Sequence, residues 1–339
     1  MSNTPKLKTR NHFIDVIKGF AIICILITHC KFTDGERNLF LFPFWVEMAV
    51  PLFMIISGFV YTKSFESRRI TSFKQAYAFD NVFSKFVRYT VPFAIAYVIE
   101  VVCFLVMRVE QNYIFLFLRG GEGPGSYYYP VLVQFIFLFP IIFFIVKEYR
   151  LRGLMICLAM NVVYELLHTV YGMNEECYRL LVFRYIFVIA FGCYLNYADE
   201  ETEDTKKLFK KCLMIGSIVG VVFLWLVFYQ GYQPIIIKHW IGTSFLANMY
   251  LLPIAQFLIC KGRVKISILE LFGKASYNIF LVQMVYFAFG SYIVHGLIPV
   301  RAVYNIIDIV LCLIAGVIFY YVEQPITNQV LKISKNLIR

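Results

Sequence analysis

Stretches of about twenty consecutive apolar residues recur along this chain, and that recurrence limits the fold more than any motif does. A helix of that length spans the roughly 30 Å hydrocarbon core of a bilayer. Ten stretches qualify: 13–31, 43–62, 87–107, 128–146, 153–170, 181–197, 212–230, 243–260, 275–295 and 303–322. The expected fold class is all-α, a polytopic integral membrane protein of about ten transmembrane helices, an even number that leaves both termini on one side. The composition agrees, with 60% of residues hydrophobic and only 16% charged, below the charged share of a soluble domain.

A net charge of +11 would suggest nucleic acid in a soluble protein. Its distribution gives another account. With the N-terminus in the cytoplasm, the inner segments hold most of the 32 Lys and Arg, including Lys6, Lys8, Arg10, Lys63, Arg68, Lys147, Lys206, Lys261 and Lys332. The outer segments hold Lys31, Arg37, Arg108, Arg119, Arg179, Lys238 and Arg301. The positive-inside rule then makes both termini cytoplasmic and explains the net charge with no nucleic-acid partner. The nine cysteines form no Cys-x-x-Cys pair and read as small apolar residues, with Cys30 and Cys177 placed to meet near the outer face.

The whole chain, 1–339, reads as a single membrane domain. Residues 1–12 are a cytoplasmic lead, and a charged cytoplasmic linker, 198–211, acts as a solvated hinge between helix blocks 13–197 and 212–322. Residues 323–339 are a cytoplasmic tail, with Pro325 stopping the last helix.

Ionisable groups inside a span are costly unless they pair or act. The first span carries Asp15, Lys18 and His29. Lys18 and His29 are eleven residues apart, about 1100° of helix turn and about 16 Å of rise, so they share a face that Asp15 joins. The alternative is an Asp15/Lys18 pair at a helix end and a snorkelling His29. In the second span Pro51 should bend the helix, and Ser57-Gly58 lets a helix or a ligand come close. Lys85 and Arg88, at i and i+3, make a compact phosphate site or plain positive-inside charge. Glu100 lies near the middle of the third span. The outer loop 108–127 carries Gly120-Gly121-Glu122-Gly123-Pro124-Gly125 before Tyr127-Tyr128-Tyr129, either an aromatic belt or a sugar platform. Glu165 and His168 lack further ligands at matching spacing, so no metal site is expected. Arg184, always charged, needs a carboxylate, a backbone cage or an anionic ligand.

Taken together and in order, these landmarks resemble the membrane-bound acyltransferase family 3, integral enzymes that acylate extracytoplasmic glycans and related acceptors. The family's basic residue and His of the first helix match Lys18 and His29. Its Pro-Leu-Phe…Ser-Gly-Phe segment matches Pro51-Leu52-Phe53…Ser57-Gly58-Phe59, its basic pair and proline match Lys85, Arg88 and Pro92, its Gly-x-x-Ser-Tyr opening matches Gly273…Ser276-Tyr277, and its Glu-x-Pro matches Glu323-Gln324-Pro325. Lys18 and Lys85 stand where relatives usually carry Arg, which removes the bidentate fork. Gln283 stands where relatives often carry His.

The resemblance implies an O-acyltransferase that moves an acyl group, acetyl first among them, from cytoplasmic acetyl-CoA or another acyl-CoA to a hydroxyl of a cell-surface or lipid-linked saccharide. His29 would be the catalytic group, as general base or acyl carrier, with Lys18 beside it. Lys85, Arg88, Ser57 and Gly58 would bind the donor, and Arg184, Glu100 and Tyr128 the acceptor. The implied setting is a bacterial cytoplasmic membrane, with membrane lipids as partners and a homodimer left open. A transporter or sensing module using the same polar face without chemistry, and an acyltransferase of an amino acid, peptide or antibiotic, are the alternatives.

The topology is testable by itself. In a variant lacking its native cysteines, a cysteine in the loop at Gly121 is expected to react with a membrane-impermeant thiol reagent from outside, and one at Thr202 is not. The reverse labelling would invert every inside and outside assignment.

Overall fold

The computed structural model describes residues 12–338. The lead, 1–12, expected in the cytoplasm, therefore lies outside the described residues except for His12, as does Arg339. Among the described residues there is no strand. The helices are α1 (His12–His29), α2 (Asp34–Leu39), α3 (Phe42–Trp45), α4 (Ala49–Ser67), α5 (Phe73–Ala76), α6 (Phe79–Met107), α7 (Tyr113–Leu118), α8 (Tyr128–Tyr171), α9 (Glu175–Leu180), α10 (Ile186–Tyr194), α11 (Glu203–Gln230), α12 (Leu251–Lys261), α13 (Ser267–Lys274), α14 (Ser276–Phe289), α15 (Ser291–Leu297) and α16 (Arg301–Ile338).

Among the described residues, 6 helical segments are long and apolar enough to cross a membrane, and the α14–α15 pair, bent by 60°, makes up to 7. The chain is an all-α, multi-pass membrane protein. Its ten apolar stretches do not become ten continuous helices. Stretches 128–146 and 153–170 are two arms of α8, which breaks at Arg150 (φ 52, ψ −122). A methyl group on Gly153 would lie 2.4 Å from the Ile145 carbonyl oxygen, so the second arm turns back on the first. Stretch 181–197 holds a 3₁₀ turn and the nine-residue α10, buried along its whole length. Stretch 243–260 holds a 3₁₀ turn, Ala247–Tyr250, and then the short α12. An apolar run reads the same whether it meets lipid or protein: α10 meets protein throughout, while α12 buries one side and leaves Ile254 and Phe257 exposed.

Packing is set by small residues, as expected where lipid leaves no hydrophobic drive between helices. α10 threads between α4 and α8. A methyl group on Gly58 would come within 2.1 Å of the Ile189 carbonyl oxygen, and one on Gly192 within 1.9 Å of that of Ile55. α1 lies on α13, α14 on α16, and α11 on the Ala247–Tyr250 turn.

Ion pairs sort the helix ends into two layers. Near Lys18 they are His12–Glu270 (3.1 Å), Lys147–Glu66 (3.0 Å) and Arg150–Glu200 (2.9 Å). Near His29 they are Arg301–Glu36 and Arg119–Glu176 (3.4 Å). Lys147 and Arg150, assigned by sequence to the inner side, thus pair with acids of neighbouring elements.

Several local expectations are corrected. Pro51 does not bend α4, because it sits in the first turn, where its missing N–H would have had no partner. Pro325 does not end α16, which runs on to Ile338 with the proline inside it. A single proline removes one hydrogen bond, and the Thr327 hydroxyl beyond it bonds back to Glu323 across the break. The charged stretch 198–211 is ordered where a hinge was expected: Ala198–Glu200 is a 3₁₀ turn, and Thr202 caps α11 by accepting from the Thr205 N–H. Cys30 is buried, Cys177 is exposed, and both are free thiols. Gly121 is buried at φ +97 with a methyl position 2.6 Å from the Glu100 carboxylate, so exposed Glu122 replaces it as the labelling site.

Overpacking a close contact costs about 1–3 kcal/mol. Gly58→Val is expected to lower the thermal midpoint of the detergent-solubilised protein, measured by intrinsic fluorescence. Gly172→Val, where the added carbons meet open space, isolates the cost of positive φ without a clash and should lower it less.

Candidate active site

The site is built on one face of α1. Lys18, Ile22, Ile25 and His29 follow each other at spacings of four, three and four, which stacks them along a single stripe. The stripe is aimed by the α1–α13 contact. A methyl group on Gly19 would stand 2.0 Å from the Leu269 carbonyl oxygen, and one on Gly273 only 1.8 Å from that of Asp15. Asp15 is buried and pairs with Lys18 at 2.9 Å. The far end of α1 is pinned by α16: Asn305 accepts from the Lys31 N–H (3.2 Å) and donates to the Lys31 carbonyl (3.0 Å). Arg37 donates to the Thr28 carbonyl (3.2 Å).

Two cavities lie along this stripe. The one at the Lys18 end, of about 470 Å³, is lined by Lys18, Arg88 and Lys274 with Ser57, Tyr61 and Tyr277. The Tyr61 and Tyr89 hydroxyls are bonded at 2.7 Å, and the Tyr277 hydroxyl donates to the Tyr89 carbonyl (3.0 Å). Three cations around a chamber otherwise lined mainly by aromatic and aliphatic side chains suit a ligand with an anionic head and a slender uncharged arm.

The cavity at the His29 end, of about 410 Å³, is lined by His29, Thr28, Glu47, Glu175 and Lys238 and by the aromatic rings of Tyr127, Tyr128 and Trp240. Carboxylates accept hydrogen bonds from hydroxyls, and the ring faces offer flat apolar surface. That combination suits a polyol ring better than an anion.

The wall beside Tyr127 is the glycine loop, which folds into the bundle where a surface loop was expected. Gly120, Gly121 and Gly125 all have positive φ. Glu100, fully buried, accepts from the Glu122 N–H (3.2 Å), and Gln283 donates to the Pro124 carbonyl (3.0 Å).

The expected site residues separate into groups. Lys18, Arg88 and Ser57 line one cavity, His29 lines the other, and Tyr128 lines both. Lys85 lies behind Tyr61, its ammonium 4.3 Å from that ring and 4.4 Å from the ring of Phe65, and does not line the cavity. Gly58 faces α10. Glu100 holds the loop and lines neither chamber. Arg184 is buried behind the Tyr127–Trp240 wall, among the rings of Tyr185 (4.5 Å), Trp240 (4.9 Å), Tyr127 (5.0 Å) and Tyr178 (5.7 Å). Tyr178 donates to Glu165 (2.6 Å), which brings a carboxylate to the edge of this cage. Among the described residues no three His, Cys, Asp or Glu side chains come together as a metal site.

Of three further lining residues, two carry a signal in the sequence and one carries none. Glu47 is an acid inside an apolar stretch, the same criterion that marked Glu100. Lys274 sits inside the Gly273…Ser276 motif. Trp240, in the connection after α11, carried no signal, since only folding brings that segment against Tyr127.

A family model described as Acyltransferase domain matches residues 11–322. No curated protein and no solved structure matches the chain.

The loop is expected to depend on Glu100. Glu100→Ala removes the acceptor of the Glu122 N–H at a cost of about 1–3 kcal/mol, so limited proteolysis should cut within 119–126 faster than in the parent. Unchanged cleavage would mean that Gln283 and Pro124 hold the loop alone.

Proposed function

The chain belongs to this acyltransferase family, and on that footing we propose that it is a membrane O-acyltransferase that carries an acyl group, acetyl foremost, from acyl-CoA in the cytoplasm to a saccharide hydroxyl on the outer side of a bacterial cytoplasmic membrane. What carries the reading is the pair of cavities along α1: cations at one end, and His29 with carboxylates and aromatic rings at the other.

The donor's phosphates would lie against Arg88 and Lys274, with Lys18 deeper beside Asp15, and its pantetheine arm would run along Ser57 toward His29. An acceptor hydroxyl in the outer chamber would attack the thioester carbonyl carbon. His29 takes the hydroxyl proton as the C–O bond forms; the C–S bond breaks, and the proton passes to the leaving sulfur, giving the free thiol. A neutral imidazole can make this exchange near neutral pH. Alternatively His29 accepts the acyl group first and hands it on, and mass spectrometry of acid-quenched protein would separate the two routes by an acylated His29 peptide. Glu47 and Glu175 would hold the acceptor's other hydroxyls, with a ring of Tyr127 or Trp240 under the sugar.

His29→Ala should leave the protein assembled and able to bind acyl-CoA while lowering transfer by roughly 10²–10⁴-fold, read as acylated product by mass spectrometry. His29→Gln should be nearly as damaging. Transfer close to the parent's in either variant would turn the two chambers into a solute path and put the transporter or sensor reading first.

The donor end makes a separate prediction. Arg88→Ala and Lys274→Ala should each weaken acyl-CoA binding by about 1–3 kcal/mol per charged hydrogen bond lost, and Lys85→Ala should weaken it less. Calorimetry on solubilised protein ranks them, and an equal loss at Lys85 would redraw the donor site.

A further inference from the structure

Away from the two chambers, the second arm of α8 and the start of α11 enclose a charged cavity that adjoins an apolar one. The charged cavity, of about 840 Å³, is lined at the break of α8 by Glu148, Arg150 and Arg152, and on the other side by Glu201 and Thr205. The apolar cavity, of about 270 Å³, lies further along the same two helices and is backed by the buried rings of Phe187 and Phe191 on α10. No charged side chain lines it. Leu151, Met155 and Leu208 line both cavities. Met155 is 52% exposed and Leu208 55%, so the line where the cavities meet is open from outside and a ligand can lie across it.

The two helices change character at one level and in one direction. On α8 the charged lining ends at Arg152 and the apolar lining runs on to Leu158; on α11 the polar lining ends at Thr205 and the apolar lining runs on to Gly216. Thr205 and Gly216 are eleven residues apart, about 16 Å of rise, close to half of the roughly 30 Å hydrocarbon core. The outward faces beyond stay apolar, with Val163, Met214 and Ile218 exposed. Polar groups at one end, an apolar wall about one leaflet deep and an open side match a membrane lipid lying in its normal orientation.

The charges narrow the head. Arg150 is engaged, paired with Glu200 at 2.9 Å and 4.0 Å from the centre of the Tyr197 ring. Arg152, Glu148 and Glu201 stand in no ion pair among the described residues. One unmatched cation beside two carboxylates suits a head that carries both signs better than a purely anionic one.

We propose that this groove binds a phospholipid with a phosphoethanolamine head: Arg152 takes the phosphate, Glu148 and Glu201 take the ammonium, one acyl chain fills the apolar cavity and the other lies along the exposed side. The site is separate from the two chambers and does not rest on the acyltransferase reading. An ammonium donates hydrogen bonds to carboxylates, which a quaternary head cannot do, and a phosphate accepts them from a guanidinium. The chain supplies α10 and α11 with contacts that the lining of an empty cavity lacks.

The test uses the full-length protein, stripped of lipid in detergent, with dioleoyl phosphatidylethanolamine, phosphatidylcholine or phosphatidylglycerol added back. Native mass spectrometry counts retained lipid, and intrinsic fluorescence gives the thermal midpoint. The ethanolamine lipid is expected to be retained, one per protein, at about tenfold lower concentration than the other two, and to raise the midpoint by about 3 °C. Gly216→Leu fills the apolar cavity from α11. Its first added carbon meets the flexible Met249 side chain at 3.4 Å, an ordinary contact, so the lipid-free midpoint should match the parent's or exceed it while lipid retention and the rise are both lost. Arg152→Ala should raise the concentration needed for all three lipids about tenfold, and Glu148→Gln/Glu201→Gln should abolish only the preference for ethanolamine. Retention and rise unchanged in Gly216→Leu overturn the groove, as does a parent that retains no lipid. Equal retention of the three lipids by the parent overturns the phosphoethanolamine head. Should Gly216→Leu not accumulate, Cys212→Phe, from an exposed position on the same wall, decides in its place by the same two readouts.

Discussion

α1 and α13 meet backbone to backbone, and the position of every group in the two chambers follows from how closely they can approach. Only hydrogen at Gly19 and Gly273 lets the carbonyls of Leu269 and Asp15 come so near. With the axis of α1 fixed on that side, the face next to the contact is fixed as well: Lys18, Ile22, Ile25 and His29 line the two chambers. Asp15, next to the contact, is buried by it, and Lys18 three residues on supplies the charge that makes burial tolerable. The glycine contact and the ion pair are one device, because a bulkier residue at either glycine would push α1 outward and wet Asp15.

Two further buried acids follow the same rule of local satisfaction, which lipid enforces more strictly than water does. Glu323 is met by the Asn278 amide at 3.1 Å and by the Thr327 hydroxyl. Asp308, fully buried, takes the Tyr286 hydroxyl at 2.5 Å and faces His295 Nε2 at 2.8 Å. Both acids lie on α16 and both bond to α14 or to its bent continuation α15, so the α14–α16 pair is tied by polar groups at two heights. Arg184 is handled differently. Its guanidinium lies among four aromatic rings, each worth roughly 0.5–2 kcal/mol to a cation depending on exposure, with Glu165 one hydroxyl away. The need for a partner that its charge implies is met only in part from inside the protein, by the Tyr185 hydroxyl and the ring faces, while Nε and Nη1 find no hydrogen-bond partner among the described residues.

Much of this was legible in the residues. The stripe of α1 was, because helical spacing is a property of the sequence alone. The helix count was not, since the stretches that became α10 and the Ala247–Tyr250 turn are as apolar as true spans and differ only in what surrounds them. Proline was misread twice for one reason: its cost depends on whether its N–H would have been used, and that depends on where the helix starts. Pro51 falls in a first turn and costs little; Pro325 falls inside a helix long enough to carry the loss. Lys85 and Arg88 share a face by spacing, yet Lys85 lies over Tyr61 and Phe65 while Arg88 opens onto the cavity. Two neighbouring cations on one face are separated by the nearest aromatic ring, which spacing does not reveal.

The glycine loop links parts of the site that are far apart in sequence. Glu100 on α6 and Gln283 on α14 hold it from two sides, Tyr127 at its end walls the outer chamber, and Gly125 backs Phe280. A filled outer chamber would push on Tyr127 and hence on the short segment that ends in Tyr128. Tyr127, which walls the His29-end chamber, is therefore the chain neighbour of Tyr128, which lines both chambers, and a loop clamped by a buried carboxylate holds the two in fixed relation.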